Sequence, residues 1–497
     1  MSGSEDSQPT PGHHVFRGSA WMIALRWATR AIGLLSTLVL VRLLTPADFG
    51  IVAMAMMLVV VLEAFAETGQ RAALIRMPSP SREHYDAAWT ISIGVGLVVG
   101  SLIFLAAPLA AKQFHDWRTL PVIQCLAFKT MVEGFTNIGI VNLRKDLQFE
   151  RFFAFTVYAK IASFVTTLTL AWWLRNYWAL VAGIMVQQVM SVVLSYTMSS
   201  YRPRLSLAKI RDIWSFSIWS LAHELGYELN VRADQFVVSA LSGPAQMGRY
   251  AVALDIASSP SEELITPMVA TVFPVMATVQ NEPDKLRHLY LRTLCWSAII
   301  CAATSTGVAL VSTDMASVIL GPQWLGAAPL MAWLALAAGA NALTQNAYST
   351  FNVLNFPHIS ARMQWVRLAM LVAALWAVAI ATHQPVAIAA TKFAVTVLFI
   401  PTMYVVAGRI IGVTAAQYAS ILWRPFAAAG FMALAVWGVN QLIAFSGIGR
   451  LVLDVIIGAV AYPTVLIALW HLSGRPDTAE RDAIGMAMQR LGLVREP

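Results

Sequence analysis

The chain has 497 residues, 58% of them hydrophobic and only 12% charged, whereas a soluble domain carries about 25% charged residues, so a soluble globular class is excluded. The formal net charge is +8, from 34 Lys and Arg against 26 Asp and Glu. The Lys and Arg fall in short gaps between apolar segments, which fits anionic headgroups and membrane topology and argues against nucleic acid as a partner.

The first 16 residues (MSGSEDSQPTPGHHVF) are polar and acidic with no basic region ahead of an apolar one, so they read as a disordered tail rather than a cleaved signal peptide. Apolar segments then follow at about 18–44, 49–70, 87–111, 118–142, 152–174, 177–199, 213–241, 245–278, 289–311, 325–353, 362–381, 384–407, 418–443 and 449–472. Uncharged runs such as 87–111 and 294–313 have the length and composition of transmembrane helices. The fold class expected is therefore all-α: a polytopic membrane protein with about fourteen transmembrane helices. Cys125, Cys295 and Cys301 all lie inside apolar segments, which indicates no extracytoplasmic disulfide framework.

The gaps 112–117, 175–176, 242–244 and 382–383 are short and force antiparallel neighbours. The alternate gaps are longer and basic. They hold Arg71, Arg76 and Arg82; Arg144, Lys145 and Arg151; Arg202, Arg204, Lys209 and Arg211; and Lys285, Arg287 and Arg292; the C-terminal tail adds Arg475, Arg481, Arg490 and Arg495. The positive-inside rule then places both termini in the cytoplasm.

The seventh and eighth segments carry His223, Glu224, Glu228, Arg232, Asp234, Asp255, Glu262 and Glu263. Charge inside a bilayer must be paired or face water. Glu224, Glu228 and Arg232 are spaced i, i+4, i+8 and share one helix face, which reads as one wall of a polar cavity. Pro260, Pro267 and Pro274 suggest either a bent or hinged eighth helix or a passive packing kink.

One turn recurs. Residues 43–53 (LLTPADFGIVA) and 241–251 (LSGPAQMGRYA) match at five of eleven positions, at an offset of 198. Thr45 or Gly243 can cap the next helix with Pro at its first position. Asp48 or Gln246 then sits three residues beyond the cap, close to a capping box, and Gly50 and Gly248 permit close helix approach. Six segments separate the copies, so both run the same way through the membrane. The expected division is a disordered cytoplasmic tail over 1–16, a six-helix bundle over 17–199, a cytoplasmic inter-bundle loop over 200–212, a pseudo-symmetric second six-helix bundle over 213–407, two extra transmembrane helices over 408–472 and a cytoplasmic tail over 473–497. The same offset carries Arg26 onto Glu224 and Arg30 onto Glu228. Two readings follow: opposed cationic and anionic walls of a water-filled cavity between the bundles, or a clamp in which the two pairs neutralise each other.

The stretch VLVRLLTPADFG over residues 39–50 resembles the polysaccharide transporter family of lipid-linked oligosaccharide flippases. Arg232-Ala233-Asp234-Gln235-Phe236, followed by Gly248-Arg249-Tyr250 and Asp255, is similar to that family's second signature, nearest its colanic-acid and teichuronic-acid exporters. The resemblance covers about Phe16 to His471. It implies a V of two six-helix bundles, alternating access, an inner-membrane location and undecaprenyl-diphosphate-linked repeat units as substrate, for exopolysaccharide or lipopolysaccharide synthesis. The partners implied are the lipid-linked oligosaccharide, the bilayer, and polymerase and other envelope-polysaccharide assembly proteins. The two extra helices look like those forming a lipid groove in the lipid II flippase, which shares the superfamily with the multidrug antiporters.

Arg binds phosphate bidentately and stays ionised, so Arg26 and Arg30 are the first candidates for the diphosphate and Arg232 the third. Arg232 has a rival partner in Glu228, one turn away. Glu224 and Glu228 suit sugar hydroxyls or the neutrality of an empty cavity. Asp255 is the candidate for proton coupling, or else a partner for Arg232. Lys129 and Glu133, at i, i+4, satisfy each other; Lys160 and Lys392 either line the cavity or pair locally; Asp454 reads as interfacial. Tyr158, Trp172, Trp173 and Trp178 read as aromatic belts. No catalytic residue, metal or cofactor is expected: the loops are too short for a catalytic domain, and there is neither metal-ligand spacing nor a phosphate-binding Gly-Lys-Ser/Thr loop. The alternatives are an ion-coupled multidrug or cation antiporter of the same architecture, whose cavity should favour carboxylates and aromatics over Arg26 and Arg30, and a non-transporting scaffold of an envelope-polymer complex.

Overall fold

The computed structural model describes residues 11–66, 74, 75, 77, 79–213, 218–442, 447–482 and 485. Arg71, Arg76, Arg490 and Arg495, and residues 1–10 of the expected tail, lie outside them. All regular elements among the described residues are helical. The long helices are α1 (Pro11–Leu43), α2 (Pro46–Ala66), α3 (Arg82–Gln113), α4 (Thr119–Gly134), α5 (Phe149–Leu174), α6 (Trp178–Met198), α7 (Ile218–Thr278), α8 (Pro283–Asp314), α9 (Ala328–Val353), α10 (Pro357–Thr382), α11 (Pro385–Ile411), α12 (Ala415–Leu442) and α13 (Ile448–Leu472). Eleven of these are long and apolar enough to cross a membrane; α4 and α7 are outside that set. The fourteen apolar segments of the sequence fall on the eleven, on α4 and on the two arms of α7, which breaks at Gly243 with φ 72 and ψ 171. A side chain is strained at that φ, which is why the turn carries glycine where its N-terminal counterpart has Thr45. Pro260, Pro267 and Pro274 leave the second arm helical.

The chain separates into two compact units, Met1–Leu221 and Ala222–Pro497, the boundary falling one turn into α7. In the first unit, α3 packs on α4, α4 on α6, and α5 on α6. In the second, the same order recurs as α8 on α9, α9 on α11, and α10 on α11. The short gaps at 114–118, 175–177 and 383–384 each join helices that pack on one another. In the second unit, α12 and α13 pair with each other and lie against α8.

Local chemistry explains the joints. The α2 N-terminus is a capping box: Asp48 Oδ2 accepts from the Thr45 amide at 2.9 Å and from its hydroxyl at 2.6 Å, and Pro46 opens the helix. The other Asp48 oxygen accepts from the Tyr177 amide at 3.1 Å, at the start of α6. Between α1–α2 and α5–α6 this single carboxylate ties two helix N-termini together. Between α3 and α4 the backbones nearly touch. A Cβ on Gly134 would lie 2.7 Å from Ser92 O, one on Gly96 3.1 Å from Gly134 Cα, and one on Gly100 2.9 Å from Ala127 O. The obstacles are mostly backbone, so they cannot rotate away. Gly134→Ala is expected to cost about 1–3 kcal/mol by overpacking, visible as a lower melting temperature of the purified protein in detergent; an unchanged midpoint would show that the seam is slack.

Three boundaries differ from the sequence expectation. Helix α1 starts at Pro11, inside the expected 1–16 tail, because a proline at the first helical position is pre-set for the helix. The 200–212 loop ends in a short helix, Ile210–Ile213, packed on α3. Residues 473–482 of the expected C-terminal tail return to the bundle. There Arg424 Nε, buried in α12, meets Glu480 Oε1 at 2.8 Å, with Cys295 Sγ on Glu480 at 3.3 Å and Arg292 Nε on Asp482 at 2.6 Å.

Candidate functional site

The first arm of α7 is apolar enough to bury, yet it places Asn230 and Asp234 one helical turn apart on its inward face, both buried. Asp234 is fully enclosed, with its side chain 0% exposed. Its Oδ2 accepts from Lys392 Nζ of α11 at 2.8 Å and, through a short hydrogen bond, from the Tyr250 hydroxyl across the Gly243 break. Lys392 Nζ also donates to Val231 O at 3.2 Å. One turn along α11, Thr396 Oγ1 donates to Lys392 O at 2.7 Å and accepts from Arg367 Nη2 of α10 at 3.2 Å. Arg367 is 5% exposed, and its Nη1 donates to Asn341 Oδ1 of α9 at 2.7 Å. Asn230 Nδ2 bonds Gly226 O at 2.7 Å and Gln364 O at 2.9 Å. Four helices thus contribute to one connected polar network inside an apolar unit. Its charges are one carboxylate and two cations, and the second cation rests on neutral acceptors. Asp234 Oδ1, Asn230 Oδ1 and Arg367 Nε have no hydrogen-bond partner among the described residues.

Beside this network, Glu228 Oε2 and Arg232 Nε pair at 3.3 Å, each side chain about a quarter exposed (26% and 27%). Glu224, Glu228 and Glu262 lie within electrostatic range of Tyr227, whose hydroxyl meets the Gln345 side chain. The seventh-segment triad therefore does share a partly buried face, and Arg232 has Glu228 as its ion-pair partner. Asp255 is itself exposed on the second arm, with Ala253 and Ala257 to either side buried. In the first unit Arg26 and Arg30 sit on α1 as partly buried residues. Lys129 bridges Glu133 and Glu63 at 2.9 Å each, with the Thr130 hydroxyl on Glu63 at 2.6 Å; Glu63 is the member that the i, i+4 spacing alone does not show. Trp172 and Trp173 are exposed at the end of α5, in keeping with an aromatic belt. Asp454 is buried within the protein, its Oδ2 accepting from Asn440 Nδ2 at 3.2 Å.

Arg367 is not among the residues singled out by motif or repeat, although an arginine inside an apolar segment is itself a signal. Asp234 and Lys392 each stand out in the sequence, but nothing there joins them. A third feature lies alongside α8, α12 and α13: an apolar groove of about 710 Å³ lined by Pro260, Val308, Met432, Val455, Tyr462 and Leu466, with the Asp454 and Glu480 side chains among its walls.

These features define a multi-pass α-helical membrane protein with buried charge held between its helices. The sequence profile described as Polysaccharide biosynthesis protein matches residues 39–329, and the chain belongs to that family. Among curated relatives it is 22% identical to the Lipopolysaccharide biosynthesis protein WzxC of Escherichia coli (strain K12) over 322 residues, 63% of this chain and 65% of that one. It is 22% identical to the Succinoglycan biosynthesis transport protein ExoT of Rhizobium meliloti (strain 1021), over 65% of this chain and 66% of that one. The match thus spans just under two thirds of each relative's length. The fold is similar to that of the lipid II flippase MurJ in an inward closed conformation, at a TM-score of 0.74 and 9% identity, covering 90% of this chain and 99% of that one. It is also similar to an inward-facing multidrug-resistance transporter of the MATE family, at a TM-score of 0.60 and 15% identity, covering 80% and 99%.

Proposed function

We propose that the chain is a flippase that moves undecaprenyl-diphosphate-linked oligosaccharide repeat units across the bacterial inner membrane by alternating access, for exopolysaccharide or lipopolysaccharide synthesis, and that it is a transporter rather than an enzyme. The observation that carries this is the buried network of Asp234, Lys392 and Arg367 inside an apolar helical unit. Ionised groups kept there cost desolvation energy, which a passive scaffold has no use for. Membership of a family whose relatives are named for lipopolysaccharide, succinoglycan and teichuronic acid biosynthesis supports the same substrate class.

In this reading Arg26, Arg30 and Arg232 are the cations offered to the diphosphate, and Glu224 and Glu228 accept hydrogen bonds from sugar hydroxyls. The apolar groove beside α12 and α13 takes the polyprenyl chain, since its walls are mostly hydrocarbon. Both termini are cytoplasmic.

The test is reconstitution of the purified chain in vesicles holding a fluorescent undecaprenyl-diphosphate oligosaccharide. Protein-dependent appearance of the sugar on the opposite leaflet is expected; translocation no faster than in empty vesicles rejects the reading. The likeness to multidrug transporters supports a second reading, an ion-coupled drug or cation antiporter. Dye efflux from a susceptible host expressing the chain is its test, and no efflux is expected.

A further inference from the structure

A strongly basic surface lies in the first unit. Beyond α6 the chain runs as an irregular strap whose stretch YRPRLSLAK, residues 201–209, carries Arg202, Arg204 and Lys209 and no acidic residue. The strap lies along α3. Arg204 N donates to Asp86 Oδ1 at 2.8 Å, and Ser206 N donates to Thr90 Oγ1 at 3.0 Å, one turn further along that helix. Its start is fixed as well. The Tyr201 hydroxyl donates to Asp86 through a short hydrogen bond, and Asn137 Nδ2 donates to Tyr201 O at 2.8 Å. Helix α3 is apolar enough to cross the membrane, and irregular backbone at membrane depth is tolerated only where its polar groups find partners. Asp86 and Thr90 supply them, which accounts for a carboxylate only 6% exposed within α3.

Where the strap meets the start of α3, Arg82, Tyr85, Ser200, Tyr201 and Arg202 line a hollow of about 500 Å³. The Arg82 side chain is 57% exposed, and Arg202 is exposed. Asp86, bonded to the lining Tyr201, already serves the Arg204 amide and lies 3.9 Å from Arg82 Nε. Among the described residues Arg202 uses Nη1, on Ser199 O and Tyr201 O at 2.6 and 3.0 Å, and Arg82 uses Nη2, on Arg202 O at 3.4 Å. A guanidinium has five N–H donors, so both arginines keep donors to offer an oxyanion. Leu205 and Leu207 are 72% and 62% exposed, and they alternate with Arg204 and Ser206, whose amides face α3. Thr90 lies about 12 Å along α3 from Arg82, whereas the headgroup layer of a bilayer is about 5–7 Å thick on each side. With the arginines at phosphate depth, the two leucines reach acyl chains. Hollow and leucines together match a lipid rather than a free phosphate.

We propose that this hollow binds the phosphate of an anionic phospholipid from the surrounding leaflet, with Leu205 and Leu207 against its acyl chains. The phosphate bridges Arg202 on the strap and Arg82 on α3. Basic pockets beside membrane helices select anionic headgroups, because a zwitterionic lipid brings its own ammonium against the guanidinium groups. The site uses none of the residues assigned to the transported headgroup, so it stands or falls apart from that reading.

The test is native mass spectrometry of the full chain in detergent, titrated with phosphatidylglycerol and, separately, with phosphatidylcholine. The wild type is expected to take its first phosphatidylglycerol more tightly than its first phosphatidylcholine. Arg82→Gln with Arg202→Gln is expected to weaken phosphatidylglycerol binding about thirtyfold, the share of two interfacial cations, and to leave phosphatidylcholine binding unchanged. Arg82→Lys with Arg202→Lys keeps the charge, serves as the folding control and is expected to keep the preference. Soluble glycerol 3-phosphate in excess is expected to leave the lipid in place; displacement assigns the hollow to a free phosphate and overturns the lipid. No preference in the wild type, a preference unchanged in the Gln variant, or one lost equally in the Lys variant overturns the site.

Discussion

Cells that depend on this chain for a surface polymer are expected to lose that polymer altogether when Arg26 and Arg30 are both replaced by alanine, while the protein still inserts to its normal level. Both residues lie on α1, one helical turn apart and partly buried, in a helix apolar enough to cross the membrane. Two arginines at that spacing share one helix face, and each guanidinium is able to take up a phosphate bidentately. Removing one fork leaves the other, so each single variant is expected to reduce export about ten- to a hundredfold, the share of one charge-assisted contact worth about 1.5–3 kcal/mol. Quantitation of surface polysaccharide, with membrane fractionation of the protein, reads the result. Unchanged polymer from the double variant removes the diphosphate role from α1.

Arg424→Met is expected to destabilise the second unit by about 3–5 kcal/mol, because it strands Glu480 as a buried charge. Arg424 and Glu480 are 3% and 2% exposed, and their side chains meet at 2.8 Å. Arg424→Met combined with Glu480→Gln is expected to recover most of that loss, since no uncompensated charge remains. Thermal unfolding in detergent, followed by aggregation, measures both; equal midpoints for single and double variants would show that the pair is not the anchor. Acid tests the same contact. Burial raises the Glu480 carboxyl, but hydrogen bonds from Thr478 and Arg424 outweigh it and hold the group below the usual glutamate range. Its contribution is therefore complete above the ordinary glutamate range and is lost as pH falls through the lower folded value. Proteolysis within residues 473–482 should accelerate below that range and not at neutral pH.

Features with short-range causes were open to reading from sequence. The start of α2 is one: Thr45, Pro46 and Asp48 form a cap that needs no other part of the chain. The antiparallel pairs follow from gap length, and the Glu228–Arg232 pair follows from helical spacing. The Asp234–Lys392 pair joins residues 158 positions apart, and neither residue carries a local mark of the other. Glu480 was hidden for a different reason. It sits in a polar stretch after the last apolar segment, where composition reads as tail, and the arginine of α12, 56 positions earlier, together with Cys295 of α8, draws it inward. Arg367 was legible and passed over: its neighbours are apolar, so its charge alone announces a partner within the protein.

The glycine seam between α3 and α4 has a mechanical meaning. With Gly96 and Gly134 meeting backbone, and Gly100 wedged between Ala127 O and the Met131 side chain, the two helices have little flexible layer over which to slide. Shear motions depend on such a layer. The pair should therefore travel as one stiff beam, and any working stroke of the first unit must be absorbed at joints elsewhere along the chain.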